Sequence, residues 1–178
     1  EELVTLDIVS NEFENNSTKQ NLINLLNGSY RVWVKSENGI NPNFRGVLQP
    51  DFIQYDYNNN DISTRTGDGF LYGYAPILEA DLENKTKVYD GAKGVNVAFD
   101  DFSDFGGELS GDSLANLEID YEFKTPFAEF ASAYVGEHEV SVSNLRLKTT
   151  DQYGGNVYGY KLSEENQAYF GSGEIMPR

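Results

Sequence analysis

Short runs in which apolar and polar residues alternate with a period of two recur along the chain. Tyr30, Val32 and Val34 alternate with Arg31, Trp33 and Lys35, and Leu117, Ile119, Tyr121 and Phe123 alternate with Glu118, Asp120 and Glu122. A strand turns successive side chains to opposite faces, so this pattern predicts half-buried β-strands. Similar runs are Leu3 to Val9, Phe44 to Gln49, Phe52 to Tyr57, Phe70 to Tyr74, Lys87 to Tyr89, Val95 to Phe99, Gly107 to Ser110, His138 to Leu147, Asn156 to Tyr160 and Ala168 to Ile175. Turn-forming clusters such as Asn38-Gly39, Gly67-Asp68-Gly69, Asp90-Gly91 and Gly154-Gly155 separate them. One stretch reads as a helix: Ser17 caps Thr18 to Leu26, and Asn27-Gly28 ends it.

With no crossover helices between the runs, the expected fold is all-β, an antiparallel up-and-down β-barrel of about eight strands. Within His138 to Leu147 the apolar phase changes from Val140 and Val142 to Leu145 and Leu147, which predicts a bulge near Ser143-Asn144. Residues 1–48, less regular and containing the helix, are expected to form an N-terminal appendage, and residues 49–178 the barrel. The length of 178 residues suits one such domain.

Twenty-nine acidic residues against 13 basic ones give a formal charge of -16, which repels phosphate backbones and anionic lipid head groups. Nucleic acid is therefore not the expected partner. The chain has no Cys, which removes disulfides, thiolate zinc sites and Cys nucleophiles. No apolar run reaches the roughly 20 residues a membrane-spanning helix needs, so a soluble monomer is expected, and any lipid anchor or export signal would lie upstream of Glu1.

The segment Gly155-Asn156-Val157-Tyr158-Gly159-Tyr160-Lys161-Leu162-Ser163-Glu164-Glu165-Asn166-Gln167-Ala168-Tyr169-Phe170-Gly171 resembles the closing motif of the transferrin-binding protein B barrel family, with Tyr160-Lys161 where Gly-Pro is common and Asn166-Gln167 for the usual Gly pair. Gly67 to Tyr74 is similar to that family's early aromatic-Gly strand, and Gly94 to Gly111 to its hairpin. The likeness covers about residues 45 to 175. It implies a non-enzymatic bacterial surface lipoprotein or secreted, outer-membrane-associated protein that binds a host protein or haem. The alternatives are a lipocalin-like carrier, suggested by Leu25 to Arg31, and a glycan-binding β-sandwich.

Three residues are candidate ligand-binding groups. His138, the only histidine, sits between Glu137 and Glu139 and has the chemistry to ligate haem iron; its plain reading is an exposed strand-end His. Trp33 with Arg31 forms an aromatic and basic stripe, suited to a protein partner or to packing beneath the helix. For metal, Asp100, Asp101, Asp104 and Glu108, or Asp56 with Asn58, Asn60 and Asp61, offer oxygen ligands without EF-hand spacing, so no metal is expected and the turns read as solvated. No nucleophile elbow, P-loop, dinucleotide fingerprint or metalloprotease helix is present, and no catalytic residue is assigned. No cofactor is expected, haem being the one that the residues leave open.

Overall fold

The computed structural model describes residues 4–18, 23, 25, 28–35, 45–59, 62–107, 112–122, 124–162 and 168–178. Among the described residues the chain is mostly β-strand, with almost no helix and a nearly closed, barrel-like sheet. Its strands are β1 (Val4–Ser10), β2 (Ser29–Val34), β3 (Phe52–Gln54), β4 (Gly69–Tyr72), β5 (Glu79–Leu82), β6 (Lys85–Val88), β7 (Gly94–Val95), β8 (Phe102–Gly106), β9 (Asp112–Ile119), β10 (Phe127–Phe130), β11 (Gly136–Ser143), β12 (Leu147–Asp151), β13 (Asn156–Tyr160) and β14 (Ala168–Met176). The helix expected over residues 18–26 lies for most of its length outside the described residues, as do Asn60, Asp61, Glu108 and the turn at Ser163-Glu164-Glu165.

The chain forms two compact units with interleaved segments. The first takes residues 1–76, 108–117 and 147–160, and the second residues 77–107, 118–146 and 161–178. The expected boundary at residue 48 thus falls inside the first unit, where β1 and β2 share one sheet with strands from far later in the chain.

The first unit holds a seven-stranded sheet ordered β1-β2-β4-β3-β13-β12-β9. It is mixed: β1 with β2, β2 with β4, β3 with β4, and β13 with β3 are all parallel pairs. This departs from the expected up-and-down meander. Parallel neighbours need a crossover rather than a tight hairpin, and the connections after β2 and β3 are long enough to supply one. One face of the sheet buries Tyr30, Val32, Val34, Ile53, Phe70 and Tyr72, the alternate positions that the period-two pattern marks. Gly69 lies opposite Phe52 in the ladder, and a side chain there would occupy the space of the Phe52 ring. The strand glycine therefore lets an aromatic lie over the backbone.

The second unit contains a five-stranded sheet ordered β6-β14-β11-β10-β7 and a two-stranded ribbon of β5 and β8. Ala128, Phe130, Val140, Val142 and Ile175 are buried on one face of the larger sheet. The Lys87 ammonium, on β6, donates to the carbonyl oxygens of Ala92 at 3.0 Å and of Gly94, on β7, at 2.9 Å. It also pairs with Asp90 at 2.8 Å, so one side chain ties the two outermost strands together. From the ribbon, Leu82 packs where a side chain on Gly171 would lie, and Tyr169 donates its hydroxyl to the Ala80 carbonyl.

The expected single strand from His138 to Leu147 is two strands. Asn144, in the left-handed region at φ 58°, ends β11, and the chain then enters the other sheet as β12. The phase change seen in the sequence marks that switch, and not a bulge within one strand.

Candidate functional site

The first unit turns its polar chemistry inward. Asp112, at the start of β9, accepts hydrogen bonds through one carboxylate oxygen from the Tyr55 hydroxyl at 2.8 Å and the Tyr160 hydroxyl at 2.5 Å. The Arg45 guanidinium stands 3.6 Å from its other oxygen. Tyr72 stacks on Tyr55, and Tyr160 meets Tyr55 edge-on. Burial raises the Asp112 carboxyl above the ordinary aspartate range, against the opposing pull of Tyr160, Arg45 and Tyr55. Burial, with the nearby Asp112 charge, also holds the Tyr55 hydroxyl well above its usual value. The buried carboxylate takes both hydroxyls on one oxygen and faces the guanidinium with the other, which has no hydrogen bond; the arrangement ties β3, β9 and β13 together.

Arg31 and Trp33 also serve this unit's packing. Arg31 is buried, donates to the carbonyl oxygens of Gly67 and of Arg65, the latter at 3.2 Å, and lies 4.8 Å over the Phe52 ring. Trp33 donates its indole N–H to Asp7 at 2.9 Å, meets Tyr57 edge-on and packs against Phe52, Leu71 and Tyr158. The segment after β3 covers Trp33 and its neighbours: Tyr57 and Ile62 pack there, and Arg65 lies 3.5 Å over the Tyr158 ring.

His138 is elsewhere, on β11 in the second unit. It is half-buried, stands opposite Gly173, and its Nε2–H donates to the Tyr134 carbonyl at 2.7 Å. It borders an open groove of about 580 Å³ lined also by Asn84, Glu137, Glu139, Ser172 and Glu174, with no aromatic among its lining residues. The structure therefore does not bring His138 together with Arg31 and Trp33. Among the described residues no three His, Cys, Asp or Glu side chains are arranged to hold a metal ion, and of the two expected acidic clusters Asp101 is engaged by Lys85 at 2.5 Å.

What sequence reasoning missed is the outer face of the five-stranded sheet. Its buried face takes Ala128 and Phe130 from β10, Val140 and Val142 from β11, and Ile175 from β14. The intervening positions are left outward: Phe127 is 53% exposed and Phe170 50%. The signal was present. Tyr169-Phe170 is an aromatic doublet, and in a strand only one of two successive residues can face the core. Beside this face, Tyr121, Phe127, Pro126, Val95 and Val97 line a second groove of about 290 Å³, whose other lining residues carry no charge.

These features define a β-sheet protein with two exposed phenylalanines on the outer face of its five-stranded sheet, without an evident catalytic constellation among the described residues. Residues 76–166, half of the chain, match the family model described as the YDG domain, and the chain belongs to that family. Its tripeptide Tyr89-Asp90-Gly91 forms the turn after β6, with Gly91 at φ 81°. No curated protein and no solved structure matches the chain.

This match overturns the resemblance to the transferrin-binding protein B family. The ladder pairings give the physical reason. The supposed closing motif spans β13 and β14, which lie in different sheets, and the supposed hairpin of Gly94 to Gly111 contains β7 and β8, which pair with β10 and β5 and not with each other. The surface-lipoprotein and transferrin-binding expectations rested on that resemblance and fall with it. The exclusion of nucleic acid, drawn from net charge, is not supported by the YDG match. Among the described residues no helix is long and apolar enough to cross a membrane.

Proposed function

We propose that this chain is a non-enzymatic binding module whose partner is a protein, met through the outer face of its five-stranded sheet. This reading needs no particular cellular setting, since the exported or surface-displayed one was expected only through the overturned resemblance. The observation that carries it is the outward placement of Phe127 and Phe170 on a sheet whose other face is already buried. Aromatic side chains that serve no core are candidates for interface anchors, because a partner that covers them removes apolar area from water.

The one tightly organised ionic centre, around Asp112, is consumed in holding strands together. The acidic chain favours a protein over a phosphate backbone as the partner. The test compares the parent chain with a Phe127→Ser/Phe170→Ser variant for binding to extracellular proteins, duplex DNA and haemin. Protein binding that the double substitution weakens about tenfold or more supports the reading. Protein binding that the variant retains in full, or saturable binding of DNA or haemin alone, overturns it.

A further inference from the structure

The ladder registers fix which side chains share the exposed face. Glu129, Ser141 and Phe170 form one row across β10, β11 and β14, and Phe127 stands opposite Ser143 in the next. Toward the other end, Glu139 lies opposite Ser172, and Glu137 lies directly opposite Glu174. Phe127 and Phe170 thus flank a shallow gutter whose floor is the pair of small residues Ser141 and Ser143 on β11. Adjacent strands are about 4.8 Å apart, so the gutter is about 10 Å wide, the breadth of an extended chain.

The charges on this face are all of one sign. Its outward positions on β6, β10, β11 and β14 carry four glutamates and no Lys or Arg. The lysines of β6 are committed elsewhere, Lys85 to Asp101 and Lys87 to Asp90 and to backbone carbonyls. Like charges placed directly opposite each other in a sheet destabilise it, and the ordinary remedy is an opposite charge in one of the two positions. Glu137 and Glu174 lack that remedy within the sheet.

We infer that this face docks a cationic, apolar segment of another protein, with apolar side chains against Phe127 and Phe170 and a Lys or Arg set between Glu137 and Glu174. The inference rests on the binding-module reading and names the partner's chemistry. A cation supplied by the partner relieves the repulsion that the free sheet carries, so charge complementarity favours this occupant over a neutral or anionic one. The face then trades stability in the free state for affinity in the bound one.

The experiment uses the full chain and three fluorescent peptides: lysines flanked by tryptophans, the same peptide with serines in place of the lysines, and a glutamate version. The lysine peptide is expected to bind saturably and to weaken as salt rises from about 50 to about 300 mM. Glu137→Gln/Glu174→Gln and Phe127→Ser/Phe170→Ser are each expected to weaken it about tenfold or more. The glutamine variant should also melt at a higher temperature than the parent, which separates loss of binding from loss of folding. If the serine peptide binds as well as the lysine one and only the phenylalanine variant loses it, cation recognition is overturned while the binding module stands. If neither double variant changes the binding of the lysine peptide, the docking surface is overturned. If no peptide binds and duplex DNA does, both readings fall.

Discussion

The two units use the same residue types in opposite ways. In the first, charges and aromatic rings face one another inside: Asp112 between Tyr55 and Tyr160, Arg31 over Phe52, Arg65 over Tyr158. In the second, Phe127, Phe170 and Tyr121 face outward together with Glu137, Glu139 and Glu174. Paired inside, these groups fix strand positions; unpaired outside, they leave surface for a partner. Residue type alone does not separate scaffold from site. What separates them is whether the neighbours within the fold already satisfy the group.

The contrast breaks first at Asp112. Asp112→Ala leaves two tyrosine hydroxyls and the Arg45 charge buried without their acceptor, and urea denaturation should show a loss of about 3–5 kcal/mol. The same carboxyl gives a pH signature. Because burial raises it in the folded state, the native chain holds its proton more tightly than the unfolded chain does. Its contribution to stability therefore falls as pH rises from the ordinary aspartate range through the raised value. Stability measured between about pH 4 and about pH 7 should show this fall in the parent and lose that component in Asp112→Asn.

Gly159→Ala comes next, with an expected cost of about 3 kcal/mol in the same assay. Gly159 sits at φ 93°, and a side chain there would collide with the Tyr55 carbonyl oxygen. Lys87→Met, in the second unit, removes its bonds to the Ala92 and Gly94 carbonyls and should lower stability by about 1–2 kcal/mol.

The outer face should behave differently. Phe127→Ser/Phe170→Ser should move stability by less than about 0.5 kcal/mol per position, because neither ring fills the core. Glu174→Gln should give an effect of the opposite sign, a gain of roughly 0.2–0.5 kcal/mol seen as a higher melting temperature. A large loss at either site would merge the two regions into one kind of surface.

These differences also explain what the sequence made legible. The expected runs coincide with β1, β2, β4, β13 and β14 and catch only the ends of β6 and β9; β2 and β4 proved buried on both faces and not half-buried as their alternation implied. Alternation did not reveal which strands are neighbours. The parallel pairing of β2 and β3 with β4 is a long-range register that alternation does not encode, and the move from one sheet to the other at Asn144 looks locally like a bulge. Asp112 was illegible for a related reason, since its partners lie 57 and 48 positions away. For Trp33 and Arg31, the segment that covers them only became evident in three dimensions. On the candidate face, the Tyr169-Phe170 doublet was readable, whereas the opposition of Glu137 and Glu174 needs the register of two strands.

Lys87 carries a consequence for crowding. A sheet ends in strands whose unpaired backbone groups invite the edge of another molecule, and a lysine at the edge is an effective deterrent to such growth. Here its ammonium donates to the carbonyl oxygens of Ala92 and Gly94, acceptors to which the N–H groups of an incoming strand would otherwise donate. At high local density, copies would then be less able to fuse through this rim of the five-stranded sheet.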